Sequence, residues 1–230
     1  MKRFWTKAEA VSAGDQWGVT LDGRPLRTPA RVSLQVASEP LALAIAEEWQ
    51  LAGETVDPRA MPLTGLTNAA LDRVQPDPET FAATLARYGE SDLLTYRAET
   101  PQALVDREAS EWDPLLHWAS RRFDIDFVVT TGVGFVAQPS ATIARLAHAV
   151  ASLDPFRLAG LSPLVTIGGS LIAALAVLEG EVSANDAWRA VSLDEAWHME
   201  KWGRDEEAEA ALDGRRTEFL AAARFLSLLD

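Results

Sequence analysis

Apolar residues alternate with polar or small ones in the first part of the chain and recur at helical spacing afterwards, and that change divides the sequence. Trp17, Val19 and Leu21 alternate with Gly18 and Thr20, and Asp22-Gly23 supplies a hairpin turn. Leu26, then Leu34 and Val36, predict further short strands, while Pro25 and Pro29 restrict where pairing can run. The expectation is a small sheet with irregular edges. Ser38 then caps a helix with Pro40 in its first turn. Leu41, Ile45 and Trp49 recur at helical spacing along it, and Gly53 is placed to end it.

Past the stiff segment Asp57-Pro-Arg-Ala-Met-Pro62, almost every stretch has a helical period. Asp77-Pro78 opens a helix through Phe81, Leu85 and Tyr88 to Gly89, a second spans residues 101–112, and Asp113-Pro114 opens a third. Phe127-Val-Val-Thr-Thr-Gly-Val-Gly-Phe-Val136 interrupts the array and predicts a short hairpin. Further helices are predicted over 141–153, 163–179, 183–191 and 192–202, and from Asp205 toward the end. Ser192 and Glu195 have the spacing of a capping box, Ser183 has Asp186 in the corresponding place, and Gly203 follows the last aromatic of its helix. The expected fold class is α+β. A small N-terminal β-rich domain with one helix, residues 1–60, precedes a larger, mostly α-helical domain, residues 61–230, that carries the short β-hairpin.

Charge narrows the partners. The chain has 21 basic and 34 acidic residues, a net charge of −13, which repels phosphate backbones and anionic lipid headgroups, so nucleic acid is not an expected partner. The absence of cysteine excludes disulfides, thiolate metal sites and a cysteine nucleophile. Residues 158–178 carry no charge and approach the ~20 residues that span a bilayer. Pro163, Ser162, Thr166, Ser170 and three glycines dilute that stretch, so it predicts a buried helix and no membrane insertion. The segment Met1-Lys-Arg-Phe-Trp-Thr-Lys7 lacks a long apolar run, which points to the bacterial cytoplasm, or to the mitochondrial matrix for a eukaryotic homologue freed of its transit peptide.

Motifs for chemistry are missing where they would be needed. Gly132-Val-Gly134 lacks a third glycine and Gly168-Gly-Ser170 lacks a lysine, so neither cradles phosphate. Glu195-x-x-His198 has ligand-like spacing, but helical di-metal sites need a second such pair, and the chain has none. The run His-Met-Glu200 begins like a zinc deaminase and lacks the Cys-x-x-Cys that chemistry requires. No Gly-x-Ser-x-Gly turn occurs. The reading is therefore a protein without cofactor or metal that is not an enzyme. Eight tryptophans against two tyrosines, most of them in predicted helices, suit a core, with some left for a partner. Glu90-Ser-Asp-Leu-Leu-Thr-Tyr-Arg97 packs acids, an arginine and a tyrosine around a Leu-Leu pair, and buried charges of that kind need partners.

These motifs together resemble the ATP synthase F1 assembly chaperones, the family that binds the unassembled F1 alpha subunit. The resemblance is carried by Leu21-Asp-Gly-Arg-Pro-Leu26 with Thr28-Pro29, Ala46-Glu-Glu-Trp49, Met61-Pro-Leu-Thr64, Glu90 to Arg97, and Trp112-Asp-Pro-Leu-Leu116. Gly169-Ser-Leu171, Glu195-Ala-Trp197 and Trp202-Gly203 complete it in the same order. Ser91 and Thr95 stand where the family commonly shows Thr and Cys, changes that keep size and leave the charged positions intact. The resemblance implies a monomeric, non-catalytic chaperone that shields the alpha subunit's interface until a beta subunit replaces it. Under it the candidate partner-binding residues are Glu195, Trp197, Trp202 and Trp49. Glu90, Asp92, Arg97 and Asp113 form an expected structural network in which Asp92 pairs with Arg97. The competing reading is a small-molecule binder or enzyme with a cleft lined by Asp92, Arg97 and Asp113.

Overall fold

The structure is a computed structural model that describes residues 2–132, 134–203 and 205–230. The chain separates into two compact units. The first comprises Met1–Pro78 with Asp154–Gly160 and Arg224–Asp230, and the second Glu79–Leu153 with Leu161–Ala223.

The first unit is built on β2 (Gln16–Leu21). It pairs antiparallel with β1 (Ala8–Ala13), with β3 (Arg24–Pro25), and with β4 (Gln35–Val36) opposite Trp17 and Gly18. Asp22 (φ 48°) and Gly23 (φ 78°) make the β2–β3 turn, the two positive φ values that a twist-matched two-residue hairpin demands. Strand β1 gave no sequence signal, because Ala-Glu-Ala-Val-Ser-Ala has no large apolar residue on an alternating face and is mostly exposed. Helix α1 (Glu39–Leu51) is capped by the Ser38 hydroxyl, which accepts the Leu41 N–H at 3.2 Å. Its Leu41, Ile45 and Trp49 bury against Val19, Leu34 and Val36 of the sheet. Glu48, also on α1, accepts the Leu63 and Thr64 N–H groups at 2.8 Å, so the start of α2 (Pro62–Ala69) is capped by another element's carboxylate. Phe225 completes this core from near the end of the chain.

The second unit is helical. Helix α3 (Pro78–Ala86) leads to β5 (Tyr96–Arg97), and α4 (Gln102–Phe123) leads to β6 (Thr130–Thr131). Along the chain then follow α5 (Ser140–Ala151), α6 (Pro155–Gly168), α7 (Leu171–Leu178), α8 (Ala184–Val191), α9 (Leu193–Trp202) and α10 (Glu206–Ser227), of which α6 up to Gly160 and α10 from Arg224 on are counted with the first unit. The α+β class read from the sequence is the class observed, strands first and helices after.

Three local expectations need revision. Helices predicted on either side of Asp113 are one helix, α4, with Pro114 inside it; buried Trp112, Leu115, Leu116 and Ala119 form one face and carry the helix across the missing N–H. Conversely, the single helix predicted over 163–179 is two. Gly169 takes φ 67°, and Ser170 then accepts the Ala173 N–H at 3.0 Å as the cap of α7, while Pro163 lies inside α6. The segment predicted as a hairpin holds β6, whose observed partner is β5 in parallel register; Val133 in that segment lies outside the described residues. Among the described residues no helix is long and apolar enough to cross a membrane.

Candidate functional site

The second unit carries a polar network beside the helix that holds most of the candidate contact residues. Asp92 is fully buried and caps a short turn through the Leu94 N–H at 3.1 Å. Its other oxygen accepts the Ile172 N–H at 3.0 Å, at the opening of α7. Burial pushes this carboxyl up to about 6, against the hydrogen bonds from Ile172, Ser170, Leu94 and Leu171 that favour its ionised form. Arg97 does not pair with Asp92 as expected. It donates to Asp113 at 2.7 Å and to the Leu94 carbonyl at 3.1 Å, with its guanidinium 5.1 Å from the Trp112 ring centre. The reason is local: the acceptors of Asp92 are taken by backbone N–H groups, while Asp113, on α4, presents a free carboxylate to the Arg97 fork. Glu90 is exposed and stands outside the network.

Two acids that the sequence did not single out belong here. Glu108, on α4 and 1% exposed, accepts the Ala98 N–H at 2.9 Å. Its carboxyl and that of Asp194, in the first turn of α9, both lie above the usual carboxylate range, burial being the largest cause for each. The available signal was the period of α4, since Glu108 falls between Leu104 and Trp112 on the buried stripe. Trp112 fastens the same corner by donating its indole N–H to the Ala190 carbonyl at 2.8 Å.

Helix α9 presents Glu195, Trp197 and Trp202 in three different situations. Glu195 is half exposed and paired with Arg215 of α10 at 3.2 Å. It does not take part in a capping box. Ser192 is the last cap of α8 as well as the first of α9, and its hydroxyl donates instead to the Trp188 carbonyl at 2.7 Å. Trp197 is buried, with the Lys201 ammonium 4.6 Å from its ring centre. Trp202 is 74% exposed at the end of the helix, its indole in a T-shaped contact with His198 at 4.7 Å between ring centres. Trp49 is in the core of the first unit, with ring centres 5.0 Å from Trp5, whose indole donates to the Trp49 carbonyl at 3.1 Å.

Asp92 being sealed by backbone donors, Asp92, Arg97 and Asp113 do not line an open cleft together. Among the described residues no group of three or more His, Asp or Glu is arranged to hold a metal ion.

The solved structure of Atp12 from Paracoccus denitrificans is 45% identical, covers 100% of this chain and 98% of its own, and matches with a TM-score of 0.94. The Atu1473 protein of Agrobacterium tumefaciens is 37% identical over 100% of this chain and 86% of its own, also with a TM-score of 0.94. Protein atp12, mitochondrial, of Schizosaccharomyces pombe is 26% identical over 98% of this chain and 82% of its own length. The family model described as ATP12 chaperone protein matches residues 2–120. Fold and sequence thus define a chaperone of the α+β class. The chain belongs to the ATP12 chaperone family.

Proposed function

We propose that this protein is an assembly chaperone of the F1 sector of ATP synthase that binds the unassembled alpha subunit and covers its interface until a beta subunit takes its place. Family membership supports the assembly role. The observation that carries the binding role is Trp202, a large apolar side chain left 74% exposed at the end of α9. Around it the same helix offers Glu195 and Glu200, each held in an ion pair, with Arg215 and Arg107 respectively. An aromatic anchor with an acidic rim suits an apolar client surface edged by basic groups. In this reading Trp202 and Glu195 touch the client, and Trp197 holds the helix that presents them. Trp49 supports the first unit as core. The protein acts as a monomer, in the bacterial cytoplasm or, for the eukaryotic relative named mitochondrial, in the matrix.

Co-expression with the F1 alpha subunit alone tests the proposal. The alpha subunit is expected to remain soluble and to co-purify with the chaperone. An alpha subunit that aggregates to the same extent with and without the chaperone at low salt would remove the proposal.

A further inference from the structure

Helix α1 carries a stripe that the core of the first unit does not take up. Leu43, Glu47 and Leu51 follow one another at four-residue spacing, so they share a face about 12 Å long. Leu43 is 53% and Leu51 76% exposed, and Glu47 is exposed between them. Within Ala46-Glu-Glu-Trp49, Glu48 caps α2 and Trp49 packs in the core. Glu47 has no ion pair among the described residues.

Beside the stripe, and wholly within the first unit, lies a hollow of about 460 Å³. That volume is in the range of roughly 300–1,000 Å³ that encloses ligand groups. Ala44, Leu51, Ala60 and Met61 supply its apolar lining. Its charged lining is three carboxylates, Glu47, Glu48 and Asp57, against one cation, Arg224. Glu48 is held by the Leu63 and Thr64 N–H groups and the Thr64 hydroxyl, and Asp57 by the Arg59 N–H. Neutral donors fix these two carboxylates in place and leave their negative charge uncancelled. The hollow is therefore apolar at its base and acidic at its rim, and the stripe on α1 continues past it to Leu43.

We propose that this groove takes a helical segment of a protein partner that carries leucine-type side chains and lysine or arginine on one face. Its apolar side chains cover Leu43 and Leu51 and enter the hollow, and its cations meet Glu47 and the acids beside it. The charge of the rim selects against an acidic segment. The length of the stripe, two turns of α1, suits a partner helix and exceeds what a small molecule in the hollow would cover. Only the identity of the partner rests on the chaperone reading, under which the segment belongs to the alpha subunit.

A synthetic amphipathic helix of leucine and lysine, roughly 15 residues long, tests the groove on the full chain without any client. Amide shifts on titration are expected to concentrate between Leu43 and Pro62, and the same peptide with glutamate for lysine should leave them unmoved. Leu51→Ala and Glu47→Lys change exposed side chains, so both should melt as wild type does. Each is expected to weaken the lysine peptide about tenfold, and the Glu47→Lys loss should shrink at high salt. Shifts spread over the acidic surface, equal binding of the glutamate peptide, or unchanged affinity in both variants overturns the groove. So does a wild-type dimer that buries this stripe, which would make a second copy its occupant. Both variants should also reduce alpha-subunit capture. Normal capture by both overturns the client as the source of the segment. Failure of wild type to capture the alpha subunit counts against the chaperone reading alone, since the peptide titration decides the groove.

Discussion

Arg97 donates to Asp113 at 2.7 Å, on α4, the next element along the chain, and it leaves the acid nearer in sequence, Asp92, to the backbone. Arg97 is 8% exposed and Asp113 about half exposed, so the pair has a buried cation and a solvated anion. Removing the anion leaves the cation buried without a counter-charge, which is the costly way to break such a pair. Asp113→Ala is therefore expected to lower stability by about 2 kcal/mol, read as a lower urea midpoint with unchanged slope. Arg97→Met combined with Asp113→Ala should recover part of that loss. Strictly additive costs in the double variant would contradict the coupling.

Asp92 makes stability depend on pH in an unusual direction. Its folded value of about 6 lies above the unfolded 3.8, so between those values the folded protein binds a proton that the unfolded chain has released. The contribution is fully present below about 4 and is lost as the pH rises through about 6, by up to about 3 kcal/mol. Asp92→Asn lacks this titration, and its amide places an N–H group against backbone donors, so it should be less stable than wild type overall. The gap between the two proteins should narrow as the pH rises from about 4 to about 7 in thermal melts. A gap that stays constant over that range would show that Asp92 titrates at its ordinary value.

Two glycines in helices should respond oppositely to alanine. A Cβ at Gly160 would lie 2.6 Å from Leu226 Cδ2 and 2.9 Å from Phe225 Cδ1, so Gly160→Ala is expected to cost about 1–3 kcal/mol through overpacking. At Gly65, inside α2, a Cβ meets nothing within 4 Å, and Gly65→Ala should gain up to about 1 kcal/mol from helix propensity. Denaturant titration of both variants checks the pair. Equal effects would mean that packing at Gly160 is looser than these distances require.

Much of this architecture was legible because the signals were local. Ser38 and Ser183 announce helix starts, and each accepts an N–H three residues on. Trp17, Val19 and Leu21 gave β2 its face, and Asp22-Gly23 gave its turn. What failed was decided by competing bonds and by packing. Ser192 reads as a capping serine, but its hydroxyl is taken by Trp188 of the preceding helix. Pro114 and Gly169 carry similar warnings in sequence, and only packing decides that the helix continues through the first and stops at the second. The resemblance to a known family drew attention to Asp92, Arg97 and Asp113 together, whereas their pairing depended on which chain segments meet.

The contact residues on α9 separate by exposure. Trp202→Ala removes a 74% exposed indole, so folding should be unchanged while client binding weakens by about 2 kcal/mol, roughly thirtyfold. Trp197→Ala empties a buried position and should lower stability first. Glu195→Lys reverses one charge of the rim and places like charge against Arg215, and it should reduce capture at low salt most. Circular dichroism melts beside a binding titration separate the three. Unchanged affinity in folded Trp202→Ala and Glu195→Lys would move the contact face away from α9.

The central claim is tested most directly by mixing purified chaperone with newly made F1 alpha subunit and following the complex by size and mass, before and after beta subunit is added. The account predicts a complex of one chaperone with one alpha subunit that forms without nucleotide, and from which beta subunit displaces the chaperone. No complex, or a complex that beta subunit leaves intact, would contradict it.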